Sequence, residues 1–190
     1  MIKNQKIQEI IDFYLQACIE AGSNIQYGKI ESEMAGPIQD STKEYQIWLP
    51  IKSEITEDEL QQFEEELGYK LPKDYKAFLQ HKHFYELYIS EASFCEHPVN
   101  KWSSYLKKMI FDGWPHEYLV DKGYIHFADW SDWGALCFDT NSKTEAYDYP
   151  VVLWDHDRPL EIQEISQNFN SLILKLDDEH EESYKIRQLD

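Results

Sequence analysis

The side chains of this chain that could do chemistry are seven histidines, three cysteines and 36 acidic residues. A divalent ion takes imidazole nitrogens and carboxylate oxygens, and His81-x-His83 and Asp155-His156-Asp157 offer both. Neither has the HExxH spacing that sets two histidines on one helix face with a base between them, and no complete ligand set assembles around either. They read as loop and surface polar residues. There is no G-x-S-x-G elbow and no glycine-rich phosphate loop. Cys18, Cys95 and Cys137 form no CxxC pair and sit in no catalytic signature. Cys137, between Leu136 and Phe138, reads as a buried structural thiol. Carboxylate pairs are so numerous that number alone accounts for any one of them. The expectation is a chain without catalytic residues, cofactor or metal.

The same side chains are suited to binding. Residues 54–66 carry Glu54, Glu57, Asp58, Glu59, Glu64, Glu65 and Glu66 with no lysine or arginine among them. Part of this is local, since acids in a first helical turn suit the positive end of the helix dipole. Glu57, Glu64 and Glu65 are read as turned away from the apolar stripe and open to a partner. A second group lies between and after two apolar runs: Asp129, Trp130, Asp132 and Trp133, then Asp155 and Asp157. A tryptophan in a polar turn has less core to enter, and tryptophan is enriched at protein interfaces. These nine residues are the candidate partner-binding set. Tyr147, Tyr149 and Trp154 nearby read first as core aromatics.

Net charge sorts the partners. At −18 over 190 residues, the chain repels phosphate backbones and anionic membrane surfaces and speeds encounter with a basic protein. The same charge also serves solubility. With 42% hydrophobic and 15% aromatic residues, the chain has too much bulky apolar material for a disordered acidic protein. An odd cysteine count argues against a disulfide framework. Ile2-Lys3-Asn4-Gln5-Lys6 after Met1 is no apolar signal core, and no run approaches the roughly 20 apolar residues of a membrane helix. A cytoplasmic setting is expected.

The elements that must position these residues are partly legible. Ile7, Ile10, Ile11, Tyr14, Leu15 and Cys18 predict an amphipathic helix over 4–20 that stops at Gly22. Residues 22–53 show no period and read as a long loop with a short strand near 45–49. Thr56 and Glu59 form a capping box, Ile55 and Leu60 a hydrophobic staple, Leu60, Phe63 and Leu67 a buried face, and Gly68 a left-handed stop. Pro72 opens a second helix with Tyr75, Phe78 and Leu79 on its apolar side. Residues 80–122 are harder to read, with a helix near 100–111 and an ambiguous stretch over 84–89. Strands are predicted over 124–128, 135–139 and 150–154, joined by turns at 129–134 and 140–143. A closing helix bears Phe169, Leu172, Ile173 and Leu176, with Ser166 as its cap. Helices, then strands, then a helix make an α+β order. The expected units are a helix-and-loop extension (1–53), a main domain (54–176) and an acidic tail (177–190).

Three segments together resemble the opening of the SUKH superfamily, which groups the Smi and Knr cell-wall regulators with bacterial immunity proteins. They are Ile55-Thr56-Glu57-Asp58-Glu59-Leu60, Phe63-Glu64-Glu65-Glu66-Leu67-Gly68 and Leu71-Pro72-Lys73-Asp74-Tyr75-Lys76-Ala77-Phe78-Leu79. The later half is similar too, in Ile125-His126-Phe127-Ala128, in the hairpin Asp132-Trp133-Gly134-Ala135-Leu136-Cys137-Phe138-Asp139, and in Pro150-Val151-Val152-Leu153-Trp154-Asp155-His156. The resemblance spans about residues 54–176. It departs after Leu79, where the family's Asn-Gly or Gly-Gly turn is replaced by His81-Lys82-His83-Phe84. It implies a twisted mixed or antiparallel sheet flanked by helices. It also implies, for bacterial members, an immunity protein or antitoxin that neutralises a cognate toxin. Charge makes a basic nuclease domain the expected target, blocked by steric cover and electrostatics. A non-catalytic regulatory scaffold is the second expectation, and an enzyme with an unrecognised site the third.

Overall fold

The computed structural model describes residues 2–142 and 147–187. Lys143 of the expected turn and residues 188–190 of the expected tail lie outside the described residues. The chain opens with α1 (Ile2–Glu20), whose Ile7, Ile10, Ile11, Tyr14 and Leu15 are buried at the predicted helical spacing. The short strand expected near 45–49 forms as β2 (Tyr45–Ile47) and pairs antiparallel with β1 (Ile25–Tyr27), which the sequence did not predict. β3 (Ile51–Lys52) leads into α2 (Glu57–Leu67). The capping box forms as expected: Glu59 N–H donates to Thr56 Oγ1 at 3.2 Å, and Thr56 N–H donates to the Glu59 carboxylate at 2.8 Å. Gly68 ends the helix at φ 78°, a left-handed conformation that is cheap only without a Cβ.

α3 (Lys73–Leu79) closes with a turn at Gln80–His81, in which His81 N–H donates to Phe78 O at 3.0 Å, and the chain then extends through Lys82–Phe84. β4 (Lys82–His83) pairs with β3, and Phe84 bridges His97. The N-terminal segment is thus stitched to the main domain where the family turn is missing. β5 (Tyr88–Ile89), β6 (Ala92–Phe94), α4 (Trp102–Lys108) and a single π-turn (Met109–Gly113) follow.

β7 (Tyr124–Trp130), β8 (Gly134–Asp139), β9 (Val151–Asp155) and β10 (Ile162–Ser166) complete a six-stranded antiparallel sheet in the order β10-β9-β8-β7-β6-β5. Each strand pairs with its neighbour in sequence. The fold is α+β with an antiparallel sheet, as expected.

Two expectations about the closing helix need correction. Ser166 is the last residue of edge strand β10, not a cap. The helix α5 (Phe169–Arg187) is capped by Asn168, whose Oδ1 accepts from Ser171 N–H at 2.9 Å. The helix also does not give way to a tail at Leu176. Residues 177–187 contain no glycine or proline, and α1 lies alongside them: Tyr14 donates to Asp177 at 3.3 Å, and its ring meets that of His180 edge-on at 5.2 Å.

The sheet has two covered faces. Leu136, Phe138 and Val151 face the main core with Tyr75 and Phe169 of the helices. Ala135, Cys137, Val152 and Trp154 point the other way, into a smaller cluster closed by Leu119, Tyr118 and Trp114. Cys137 is fully buried there, as expected of a structural thiol. Gly134 sits where β8 and β9 come closest. A Cβ there would lie 2.9 Å from the Trp154 carbonyl oxygen.

Candidate partner-binding site

The second face of the sheet carries the site. Strand geometry alternates side chains between faces, so His126 and Asp129, three apart, belong on opposite sides. They are not, because β7 carries a bulge. His126 pairs with Cys137 and Ala128 with Leu136, leaving Phe127 as the extra residue. Phe127 drops into the main core, where its ring stacks on Phe138 at 4.2 Å. His126 and Asp129 then share the second face, with Nε2 and Oδ1 3.2 Å apart.

There they line a cleft of about 430 Å³ with Cys95 and Glu96 after β6, Tyr105 and Lys108 of α4, Met109 and Trp114 around the π-turn, and Ser131 and Asp132 of the β7–β8 turn. Ser131 holds a left-handed φ of 52°, and its N–H donates to Glu91 O at 2.8 Å, fixing the turn against the β5–β6 connection. Trp114 donates its indole N–H to Asp129 Oδ1 at 3.0 Å and stacks on His156 at 5.6 Å. The β7–β8 turn is tied to the segment after β9 by His156 N–H donating to Trp133 O at 3.1 Å.

Three acids, Glu96, Asp129 and Asp132, and two bases, Lys108 and His126, set the electrostatics of the cleft. Burial alone would raise Asp129, but the hydrogen bond and charge of His126 and the Trp114 indole hold its carboxyl below the ordinary aspartate range. Glu96 is pushed up by burial, with Glu86 adding and Lys108 opposing. Its Oε2 is buried and has no hydrogen-bond partner among the described residues. Cys95 is pushed up to about 12 by burial and by Glu96 and Asp129. A thiol, an imidazole and a carboxylate therefore meet in one cleft, yet they do not make a nucleophile. The surroundings favour the neutral thiol. Both imidazole nitrogens are also taken, Nδ1 lying 3.1 Å from Met109 O and Nε2 3.1 Å from Ala128 O.

The candidate set divides under this geometry. Asp129 and Asp132 line the cleft. Trp130 and Trp133 are half-buried at the turn, Trp130 against the main core. Asp155 faces Gly134 across the ladder, and its carboxylate accepts from Asp157 N–H at 2.8 Å and from Arg158 at 3.0 and 3.1 Å. Asp157 is exposed. Glu57 and Glu65 are exposed on α2, away from the cleft lining.

Glu64 corrects the sequence reading. It is one turn from both Leu60 and Leu67, so it belongs to the stripe itself, and it is only 5% exposed. Its carboxylate accepts from Leu71 N–H at 2.8 Å and pairs with Lys70 at 2.9 Å and Lys76 at 3.7 Å. It holds the α2–α3 connection.

Sequence reasoning missed Glu96, Tyr105 and Trp114. Tyr105 lies on the helix predicted near 100–111 and Glu96 and Trp114 in the less readable residues around it, and only folding brings them to Asp129. The two histidine motifs are also dispersed. His81 lies 2.9 Å from Asp12, buried His83 stacks on His97, and His156 covers Trp114. Among the described residues no three His, Cys, Asp or Glu side chains converge as a metal site, and no helix is long and apolar enough to cross a membrane.

Residues 54–175 match the protein family described as SMI1 / KNR4 family (SUKH-1). No curated protein matches the chain.

Proposed function

We propose that this chain, which belongs to the SMI1/KNR4 family (SUKH-1), is an immunity protein that binds a basic toxin domain, a nuclease, and blocks it by cover and charge. Family membership supports a toxin-immunity or Smi1/Knr4-type role. The observation that carries the narrower reading is the cleft: Glu96, Asp129 and Asp132 converge beside aromatic walls, with Lys108 the one lysine or arginine in the lining. A nuclease must carry a basic groove for phosphates, and carboxylates on a rigid sheet face complement it. The thiol and imidazole held there are configured for packing rather than bond making, which supports a role without turnover. Glu57, Glu65, Asp157, Trp130 and Trp133 extend the proposed contact surface beyond the cleft, and a net charge of −18 steers the encounter.

The test is protection. The product of the adjoining reading frame, expressed alone, is expected to arrest growth, and co-expression of this chain to restore it, with a complex whose association slows as salt rises. Toxicity that the chain does not relieve would overturn the reading. A harmless neighbour together with several weak interactors would replace it with the regulatory scaffold.

A further inference from the structure

We infer that the cleft between α4 and the β7–β8 hairpin is the seat of a single arginine side chain supplied by the protein partner. The inference rests on the binding reading above and specifies its chemistry. Glu96, Asp129 and Asp132 line the cleft against Lys108 and His126, so an anionic guest is disfavoured. The buried Oε2 of Glu96 has no donor among the described residues, and a buried acceptor left unpaired is destabilising. A guest that brings N–H groups removes that cost. The terminal torsion of a glutamate is soft, so the carboxylate can turn to an entering donor without backbone movement. Trp114 Nε1 and His126 Nε2 both lie on Oδ1 of Asp129, which fixes the carboxylate in place.

Arginine fits this arrangement better than lysine. The acceptors come from three separate segments: the residues after β6, the end of β7 and the turn beyond it. A guanidinium spreads five donors over a plane, whereas an ammonium concentrates three at a point. The planar ion can also lie against the ring side chains of Tyr105 and Trp114. The volume, about 430 Å³, is that of a ligand pocket and admits the side chain with its flanking backbone at the mouth.

The test uses N-acetylarginine methylamide as probe, with the citrulline and lysine counterparts as controls. The readout is the NMR shift of the Trp114 indole N–H, assigned with Trp114→Phe. A saturable shift with the arginine probe, weaker with lysine and absent with citrulline, is expected. Glu96→Gln, which keeps the side-chain shape, should weaken the arginine probe at least five-fold. Equal response to citrulline, equal affinity for the lysine probe, or no change in Glu96→Gln would overturn the proposal. Toxin protection without arginine binding would sink the cleft and leave the immunity reading. Arginine binding without protection would do the reverse.

Discussion

Glu64 and Glu65 are adjacent in sequence and opposite in circumstance. Glu64 holds two lysines and the Leu71 N–H from a buried position, whereas Glu65 accepts from Gln61 at 2.9 Å on the exposed face of α2. Glu64→Ala is therefore expected to cost about 2 kcal/mol, because it orphans a buried backbone donor. Glu65→Ala should leave the urea midpoint where it was, and equal effects would refute the assignment. The spacing from Leu60 to Leu67 already contained this answer. Charge obscured it, since the helical period places a residue on a face without saying whether a partner will neutralise it. His97 makes a second residue-scale case. Full burial, with His83 adding and the Leu79 carbonyl opposing, depresses it to about 3, against roughly 6.5 in the unfolded chain. Between those values the unfolded state binds the proton and the folded state does not. This contribution to stability is complete above about pH 6.5 and is lost as pH falls, by about 1.4 kcal/mol per unit. Denaturation midpoints at pH 7 and pH 5 should fall in the parent and fall less in His97→Gln. Parallel slopes would contradict the burial argument.

At the scale of elements, what could be read was what local chemistry alone dictates. Thr56, Glu59 and Gly68 define α2 without reference to anything distant, the runs 124–128 and 135–139 lie within observed strands, and the run 150–154 begins one residue before β9. What could not be read depends on partners. β10 is polar at Gln163 and Glu164 because it is an edge strand, so it lacks an apolar signal, and the cap moved from Ser166 to Asn168 in consequence. The acidic run after Leu176 is helical because α1 supports it. Least legible was the bulge at Phe127, which reverses the face of Asp129 and so creates the cleft. Gly134 lies at the other end of the same hairpin. Gly134→Ala would press a Cβ onto the Trp154 carbonyl at 2.9 Å and Leu153 Cδ1 at 3.1 Å. It is expected to cost about 1–3 kcal/mol and to shift the amide signals of 153–156. An unperturbed spectrum and unchanged stability would show that β8 and β9 are not held as tightly as described.

The molecule as a whole combines a main core, a smaller cluster on the other face of the sheet and a net charge of −18. The resemblance that was legible begins at residue 54, yet Ile7, Ile11, Leu15, Met34 and Trp48 lie in the same core as Phe127 and Phe169. The β3–β4 ladder crosses the boundary as well. Composition announced the charge and the abundance of aromatics. It did not announce that three acids from separate segments would meet around one cleft, which is a property of topology. The proposed immunity function would act by occupancy, so its effect would follow stoichiometry. The most direct measurement is the residual activity of the purified toxin from the adjoining gene, titrated with this chain at concentrations well above their Kd. The predicted result is a linear fall to zero at one chain per toxin, with both proteins recovered intact. Inactivation by a small fraction of an equivalent, or covalent change in the toxin, would mean that the chain performs chemistry, and would contradict a binder that works by cover and charge.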